Sequence, residues 1–338
     1  MKRRKVLLVA QNLDDMILDD SKILGKYFDV ETRIIKSGAH MFGKLPLLAH
    51  KIRKTDLCFI WFATSYAFFT TLFAKLFGKP TVLVVGGYDV VKVPEIGYGL
   101  AANPVKKIFP IFALQWADAV LPFSKDSEAQ MLNNFDVDSD KVKTVYLGVS
   151  PVATKKAKGR KENMAATVGV VTKSNLTRKG LEVFVRAAKY LPDTKFVLIG
   201  DTPDKSTLEY LKGIATPNVH FKNLGYNTGK IVQELAKARA YVQISYHEGF
   251  GRALAEAMCQ ECVPVVSARG AIPEVVLNTG YYVYKMGNAE EVAQKIKLAL
   301  KSKLGKKARK QAMQFSLERR ETELIETVNK LLAKWEEA

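Results

Sequence analysis

The sequence is poor in cysteine. Its three cysteines, Cys58, Cys259 and Cys262, are too few and too odd in number for a disulfide framework, which fits a reducing compartment. Neither a second cysteine pair nor a histidine cluster accompanies Cys259-x-x-Cys262, so half a zinc site is the weaker reading and structural cysteines are expected. Acidic residues are scarce too: 34 Asp and Glu face 52 Lys and Arg, a formal charge of +18. Such a surplus suits nucleic acid or an anionic membrane. Zinc-finger spacing, an RNA-recognition signature and a heptad zipper are all missing, so nucleic acid is not the expected partner. No signal peptide is expected, because basic Met1–Lys5 is followed by an apolar run of only Val6–Ala10 before Asp14 and Asp15. Charge is missing locally as well. Leu57 to Ala74 holds no charged residue over 18 positions, enough in length for a membrane span. Thr64, Ser65, Thr70 and Thr71 favour instead a strand over 57–62, a turn, and a helix to Phe77.

What is present is a chain of 338 residues, 48% hydrophobic, long for one domain and comfortable for two. Val6–Ala10 reads as a buried strand, followed by a loop at Gln11–Asp15, a helix over 17–27 and a strand over 30–35. Thr81–Val85 is a strand ending on Gly86-Gly87-Tyr88-Asp89, and a glycine pair at the carboxyl end of a parallel strand marks a ligand crevice. The helix between 65 and 77 carries Phe68, Phe69, Leu72, Phe73, Leu76 and Phe77, a core face or a membrane-touching one. Ten Lys or Arg against three Asp or Glu between residues 36 and 107 suit an anionic surface.

Asp136-Val137-Asp138 reads as a solvated turn after a helix over 127–135. Residues 151–162, with five Lys or Arg and almost nothing apolar, read as an exposed linker. The α/β alternation then repeats, with strands over 166–171, 195–199 and 219–221, helices over 180–190 and 230–238, and a polar, basic loop over 173–179. Lys301 to Lys310 contributes six basic residues as a solvated face, and residues 315–335 form a long amphipathic final helix.

The most informative stretch is Tyr246 to Met258, Y-H-E-G-F-G-R-A-L-A-E-A-M, between apolar strand patterns at 240–244 and 263–266. The order is strand, glycine turn, helix, strand. A helix starting near Arg252 offers free N–H groups and its dipole to an anion, and Gly249 and Gly251 let phosphates approach the backbone. Glu248 and Glu256 beside an anion site make sense if the ligand is a sugar nucleotide, whose hydroxyls carboxylates can hold.

The Glu248-x7-Glu256 pair inside EGFG…EAM, followed by Pro264-Val265-Val266 and Gly270-Ala271-Ile272-Pro273-Glu274-Val275-Val276, resembles the donor-site signature of retaining GT-B glycosyltransferases, family 4 in particular. The resemblance implies an α/β fold of two Rossmann-like parallel-sheet domains facing across a cleft. An acceptor domain would span residues 1–150 and a nucleotide-sugar donor domain 151–315, with a helix over 316–338 returning to the first. Residues 116–124 and 141–149 resemble the last two strands of that first domain. It implies a hexosyltransferase that uses a UDP- or GDP-sugar, needs no metal or other cofactor and retains anomeric configuration. Its acceptor would be lipid-linked at a membrane face, the protein cytoplasmic and peripheral on the inner membrane surface.

The family's basic loop ends in Lys-Gly, matched by Lys179-Gly180; its arginine is not matched, and Lys173 or Arg178 is the substitute. By resemblance Glu248 holds donor-sugar hydroxyls and Glu256 the ribose. Gly249, Phe250, Gly251 and Arg252 supply turn contacts, Glu274 faces the donor, and the base falls near Gly200 and Tyr226. Asn12, Gly87, Tyr88 and Asp89 are acceptor-side candidates. Two other readings stay open: a nucleotide-sugar epimerase or phosphorylase on the same fold, and a basic nucleic-acid or anion-binding protein.

Overall fold

The computed structural model describes residues 3–155, 160–225 and 227–337. The chain divides into two compact units, Met1–Leu147 with Glu318–Ala338, and Gly148–Leu317.

Unit 1 is built on β1 (Lys5–Ala10), β2 (Asp29–Ile34), β3 (Leu57–Trp61), β4 (Thr81–Val85) and β5 (Ala119–Pro122), in the order β2-β1-β3-β4-β5 and parallel throughout. The central strands β3 and β4 are buried at every position, as sheets covered on both faces require. Helices Leu45–Arg53, Ser65–Leu76 and Ile108–Trp116 cover one face. The final helix, Leu317–Glu337, belongs to this unit from Glu318 onward and buries Leu324, Ile325, Val328, Leu331 and Leu332. Its Arg320 forms a two-pronged ion pair with Asp20 of the helix Asp15–Tyr27, at 2.6 and 2.7 Å, and both side chains are buried.

Unit 2 carries β6 (Glu162–Val168), β7 (Lys195–Ile199), β8 (Val219–Lys222), β9 (Ala238–Gln243), β10 (Val263–Ser267) and β11 (Tyr281–Val283). Their order is β11-β10-β9-β6-β7-β8, again all parallel. The order reverses between β6 and β9. In open parallel sheets the crevice outside the strand ends at such a reversal is where ligands bind.

Three sequence expectations are corrected. Residues 141–149 do not form a strand; they touch β5 only through an isolated bridge, Val120 with Val142. Lys143 N donates to Val120 O and Val145 N to Pro122 O, but the return bond would need an N–H on Pro122, which proline lacks. The segment 173–179 is mostly a helix, Lys173–Arg178, rather than a loop. The start of the expected linker is a short helix, Pro151–Thr154, with Ala153 fully buried, while residues 156–159 of that linker lie outside the described residues. Gln260 Nε2 donates to Ala153 O at 2.6 Å, and Arg309 donates to Thr154 O at 2.6 Å. Arg309 is therefore a packing residue, although the lysines around it are exposed.

Among the described residues, no helix is long and apolar enough to cross a membrane.

Candidate active site

The turn after β9 and the helix after β6 meet at the strand-order reversal of unit 2. The helix Arg252–Cys259 begins on Gly251, whose φ of +88° lies in the left-handed region open to glycine. Ala255 N bonds back to Gly251 O, and the amides ahead of such a bond have no partner within the helix itself. The buried Phe250 ring anchors the turn from below against Phe315, edge to face at 5.2 Å.

On the other side of the crevice, the helix Lys173–Arg178 ends at Lys179, and Gly180 follows with φ +66°. A Cβ on Gly180 would stand 2.4 Å from Ile244 O, so only glycine lets this segment press against the end of β9. Tyr246 N donates to Arg178 O at 2.8 Å and locks the two segments together.

The consequence is a cluster around Glu248. Lys179 Nζ lies 3.2 Å and the Arg178 guanidinium 4.0 Å from Glu248 Oε1, which also accepts from Ser245 Oγ at 3.1 Å. Burial pushes the Glu248 carboxyl up, but the two cations and the hydrogen bonds from Lys179 and Ser245 outweigh it and hold it below the ordinary carboxylate range. Arg178 is aimed by Asn175, whose Oδ1 accepts from its Nε and its terminal amine at 3.1 and 2.8 Å; Asn175 is fixed in turn on Val170 O. A left-handed turn at Gly270 closes behind the cluster, where Ala271 N donates to Glu248 O at 2.9 Å. Glu256, 7% exposed, accepts from Arg252 Nε at 3.1 Å one helical turn earlier.

The structure brings Arg178, Lys179, Glu248, Gly249, Phe250 and Gly251 together with Arg252 and Glu256. It does not bring Lys173 to them. That residue opens its helix, roughly 7 Å along the axis from Arg178 at 1.5 Å per residue, with its side chain exposed and its amide bonded to Asp204. Gly200 is held in close approach: a Cβ there would meet Gly169 O at 2.1 Å, so its first task is to let the turns after β6 and β7 pack. Glu274 is half-buried in the first turn of the short helix Ile272–Val276. Tyr226 lies outside the described residues.

In unit 1, Asp89 is buried and its carboxylate is occupied by backbone. Oδ2 accepts from Ala63 N at 3.0 Å, and Oδ1 from Gly87 N at 2.9 Å and Gly86 N at 3.4 Å. Burial raises its carboxyl against the pull of these amides. Asp89 thus shapes the Gly86-Gly87 turn, while Tyr88, edge to face with Tyr98, and Asn12 present exposed side chains.

Three polar residues at this site escaped the motif reading. Ser245 orients Glu248; His247 is buried, which lowers its pKa and favours the neutral imidazole. Gln243, 4% exposed, has an Nε2 with no hydrogen-bond partner among the described residues and sits beside Gly251. The signal available for all three was a polar residue in or just after an otherwise apolar strand. Among the described residues, no group of three or more His, Cys, Asp or Glu side chains could hold a metal ion.

Comparison with known proteins places these features. Residues 152–316 match the family model for glycosyl transferases group 1. The chain is 29% identical over 245 residues to alpha-maltose-1-phosphate synthase of Mycolicibacterium smegmatis, covering 65% of this chain and 62% of that one. It is 27% identical over 239 residues to the N-acetylgalactosamine-N,N'-diacetylbacillosaminyl-diphospho-undecaprenol 4-alpha-N-acetylgalactosaminyltransferase of Campylobacter jejuni, covering 66% and 62%. The match thus spans about 62% of the length of these two relatives. Among solved structures, Anabaena Alr3699/HepE in complex with UDP and glucose superposes with a TM-score of 0.79 at 17% identity, over 97% of this chain and 100% of that one. The fold is the pair of parallel-sheet α/β domains of GT-B glycosyltransferases.

Proposed function

We propose that the protein is a glycosyltransferase that moves a sugar from a nucleotide-sugar, most simply a UDP-sugar, to an acceptor with retention of anomeric configuration, in the manner of family 4. The observation that carries this reading is the Arg178–Lys179–Glu248 cluster at the strand-order reversal of a domain that matches the group 1 model. Loss of the diphosphate leaving group builds negative charge. Arg178, Lys179 and the N-terminus of the helix Arg252–Cys259 are fixed donors aimed where that charge develops, and fixed donors need no reorganisation at the moment of reaction. Before the donor binds, the Glu248 carboxylate keeps both cations in place; with the donor bound, it takes sugar hydroxyls. Glu256 takes the ribose, and the cations replace a metal in balancing the diphosphate.

The solved neighbour with UDP and glucose supports UDP as the nucleotide. The Campylobacter relative, named for a diphospho-undecaprenol-linked sugar, supports a lipid-linked acceptor at a membrane surface. Release of UDP from a panel of UDP-sugars tests the reading. Arg178→Ala and Lys179→Ala should each lower turnover about 10²-fold, the cost typical of removing one donor from a developing oxyanion. Full turnover in both variants would remove the assignment. An isomerised nucleotide-sugar formed without acceptor would point to an epimerase.

A further inference from the structure

The helix Ser65–Leu76 is inverted. Its sheet-facing residues are Tyr66, Ala67, Thr70, Thr71 and Ala74, and the two threonine hydroxyls bond back to the carbonyls of Tyr66 and Ala67. Of its large apolar residues, Phe69 and Phe73 are partly buried against the edge of the core, Phe68 and Leu72 are half-buried off the sheet-facing side, and Leu76 is exposed. A helix that covers a sheet and faces water carries the opposite pattern. The neighbouring helix Ile108–Trp116 buries Pro110, Ala113 and Leu114 and packs Ile111 on the core, while Phe109, Phe112 and Trp116 are half-buried and Ile108 is exposed.

The half-buried rings make one continuous strip, seated on the core through Phe69, Phe73 and Phe77. Phe68 meets Phe109, Phe112 and Trp116 at 5.4–5.9 Å, and Phe69 links Phe42 to Phe73 and so to Phe77. Ring-to-ring packing accounts for Phe68. It does not account for Leu76, Phe42 and Ile108, which are 68%, 60% and 50% exposed.

Cations border the strip. Lys75 lies over the Trp116 ring and Arg53 over Phe77, and exposed Lys106 lies two residues before the second helix. Past Phe77 the strip ends at a cavity of about 550 Å³, lined by Arg3, Arg4, Lys5, Lys54 and Lys79 with Asp56, Glu336 and Trp335. The three acids between residues 36 and 107 do little to offset this. Asp89 is buried, Asp56 accepts from Lys5 N at 2.7 Å, and Glu95 sits in the short helix Pro94–Ile96.

We propose that this face of unit 1 docks on an anionic lipid bilayer, with Phe42, Leu76 and Ile108 entering the headgroup region and the bordering lysines and arginines pairing with lipid phosphates. Apolar area and basic charge together are what interfacial binding to anionic lipid requires. The inference deepens the proposed function and rests on it only for the use of docking, which is access to a lipid-linked acceptor; the docking itself is measured without donor or acceptor.

The test is flotation of the full chain with vesicles of 70% phosphatidylcholine and 30% phosphatidylglycerol, against pure phosphatidylcholine. The wild type should float with the anionic vesicles, at least tenfold less with the neutral ones, and less at high salt, where surface charge is screened. The double variant Leu76→Ser/Ile108→Ser, placed at exposed positions so that melting is unchanged, should lose at least tenfold in bound fraction. Lys75→Glu/Lys106→Glu should lose binding to the anionic vesicles. If the wild type stays in the aqueous fraction with both vesicle types, or both variants float as it does, the proposal fails. It fails equally if light scattering finds a dimer that Leu76→Ser/Ile108→Ser breaks, since a second copy would then own the face. A UDP-induced rise in melting temperature, measured alongside, separates the two readings: UDP binding without flotation defeats only the docking, and flotation without UDP binding defeats only the transferase.

Discussion

Lys179 Nζ lies 3.2 Å from Glu248 Oε1, and the Arg178 guanidinium lies 4.0 Å from the same oxygen. The Glu248 carboxyl is held below its ordinary value of 4.5, so its ionised form is favoured more in the folded chain than in the unfolded one. Its contribution to stability is therefore fully present above pH 4.5 and is lost as pH falls through the lower folded value. Glu248→Gln should be less stable than the wild type at pH 7, because two cations are left facing each other. The gap between the two proteins should narrow in urea melts taken at successively lower pH below 4.5. A gap that is constant with pH would mean that the carboxylate is not held by those cations.

Gly180 is the hinge of the same cluster. Gly180→Ala puts a side chain into a left-handed backbone, at about 1–2 kcal/mol, and adds a Cβ 2.4 Å from Ile244 O. Stability should fall by at least that amount and nucleotide affinity should fall with it, since Lys179 moves with Gly180. Unchanged urea and nucleotide titrations would show that the segment has another way to pack.

Unit 1 depends on a different pair. Arg320 gives two hydrogen bonds to Asp20 and two more to the carbonyls of Val145 and Tyr146, at 2.9 and 3.0 Å. Arg320→Met leaves the Asp20 charge buried and alone, a loss of about 3–5 kcal/mol. The double change Asp20→Leu/Arg320→Met should recover much of it. Equal loss in the single and double variants, by chemical denaturation, would argue that shape rather than charge is at stake there.

The cysteines should be silent. All three are buried, and burial pushes the thiols of Cys58 and Cys259 up to about 12. Cys262 Sγ donates to the carbonyls of Leu235 and Ala238 at 3.1 and 3.3 Å. A thiol-specific disulfide reagent at about pH 8 should find none in the folded protein and all three in denaturant. Rapid reaction of Cys259 or Cys262 in the folded state would contradict a purely structural role for the pair.

Much of this was legible in the sequence, because parallel strands buried on both faces are written as apolar runs. β4 and β7 carry the bounds that Thr81–Val85 and Lys195–Ile199 give, and the helix after the glycine turn starts at Arg252 as its composition indicates. Less legible was whatever depends on distant partners. Nothing local in residues 141–149 says that Pro122 withholds the return bond. Lys173 and Arg178 are alike as basic residues in one segment, and only the helix between them decides which one reaches Glu248. Asp89 reads as an acceptor-side candidate, and the sequence does not show that the amides of Ala63, Gly86 and Gly87 bond its carboxylate.

The most direct test of the account is a thermal-shift titration of UDP, beside GDP, ADP and TDP, on the wild type and on Lys179→Ala. A nucleotide at about 100 times its dissociation constant adds roughly 2.7 kcal/mol to native stability. The account predicts a clear rise in melting temperature with UDP, largely lost in Lys179→Ala. No rise with any of the four nucleotides, or the same rise in both proteins, would contradict it.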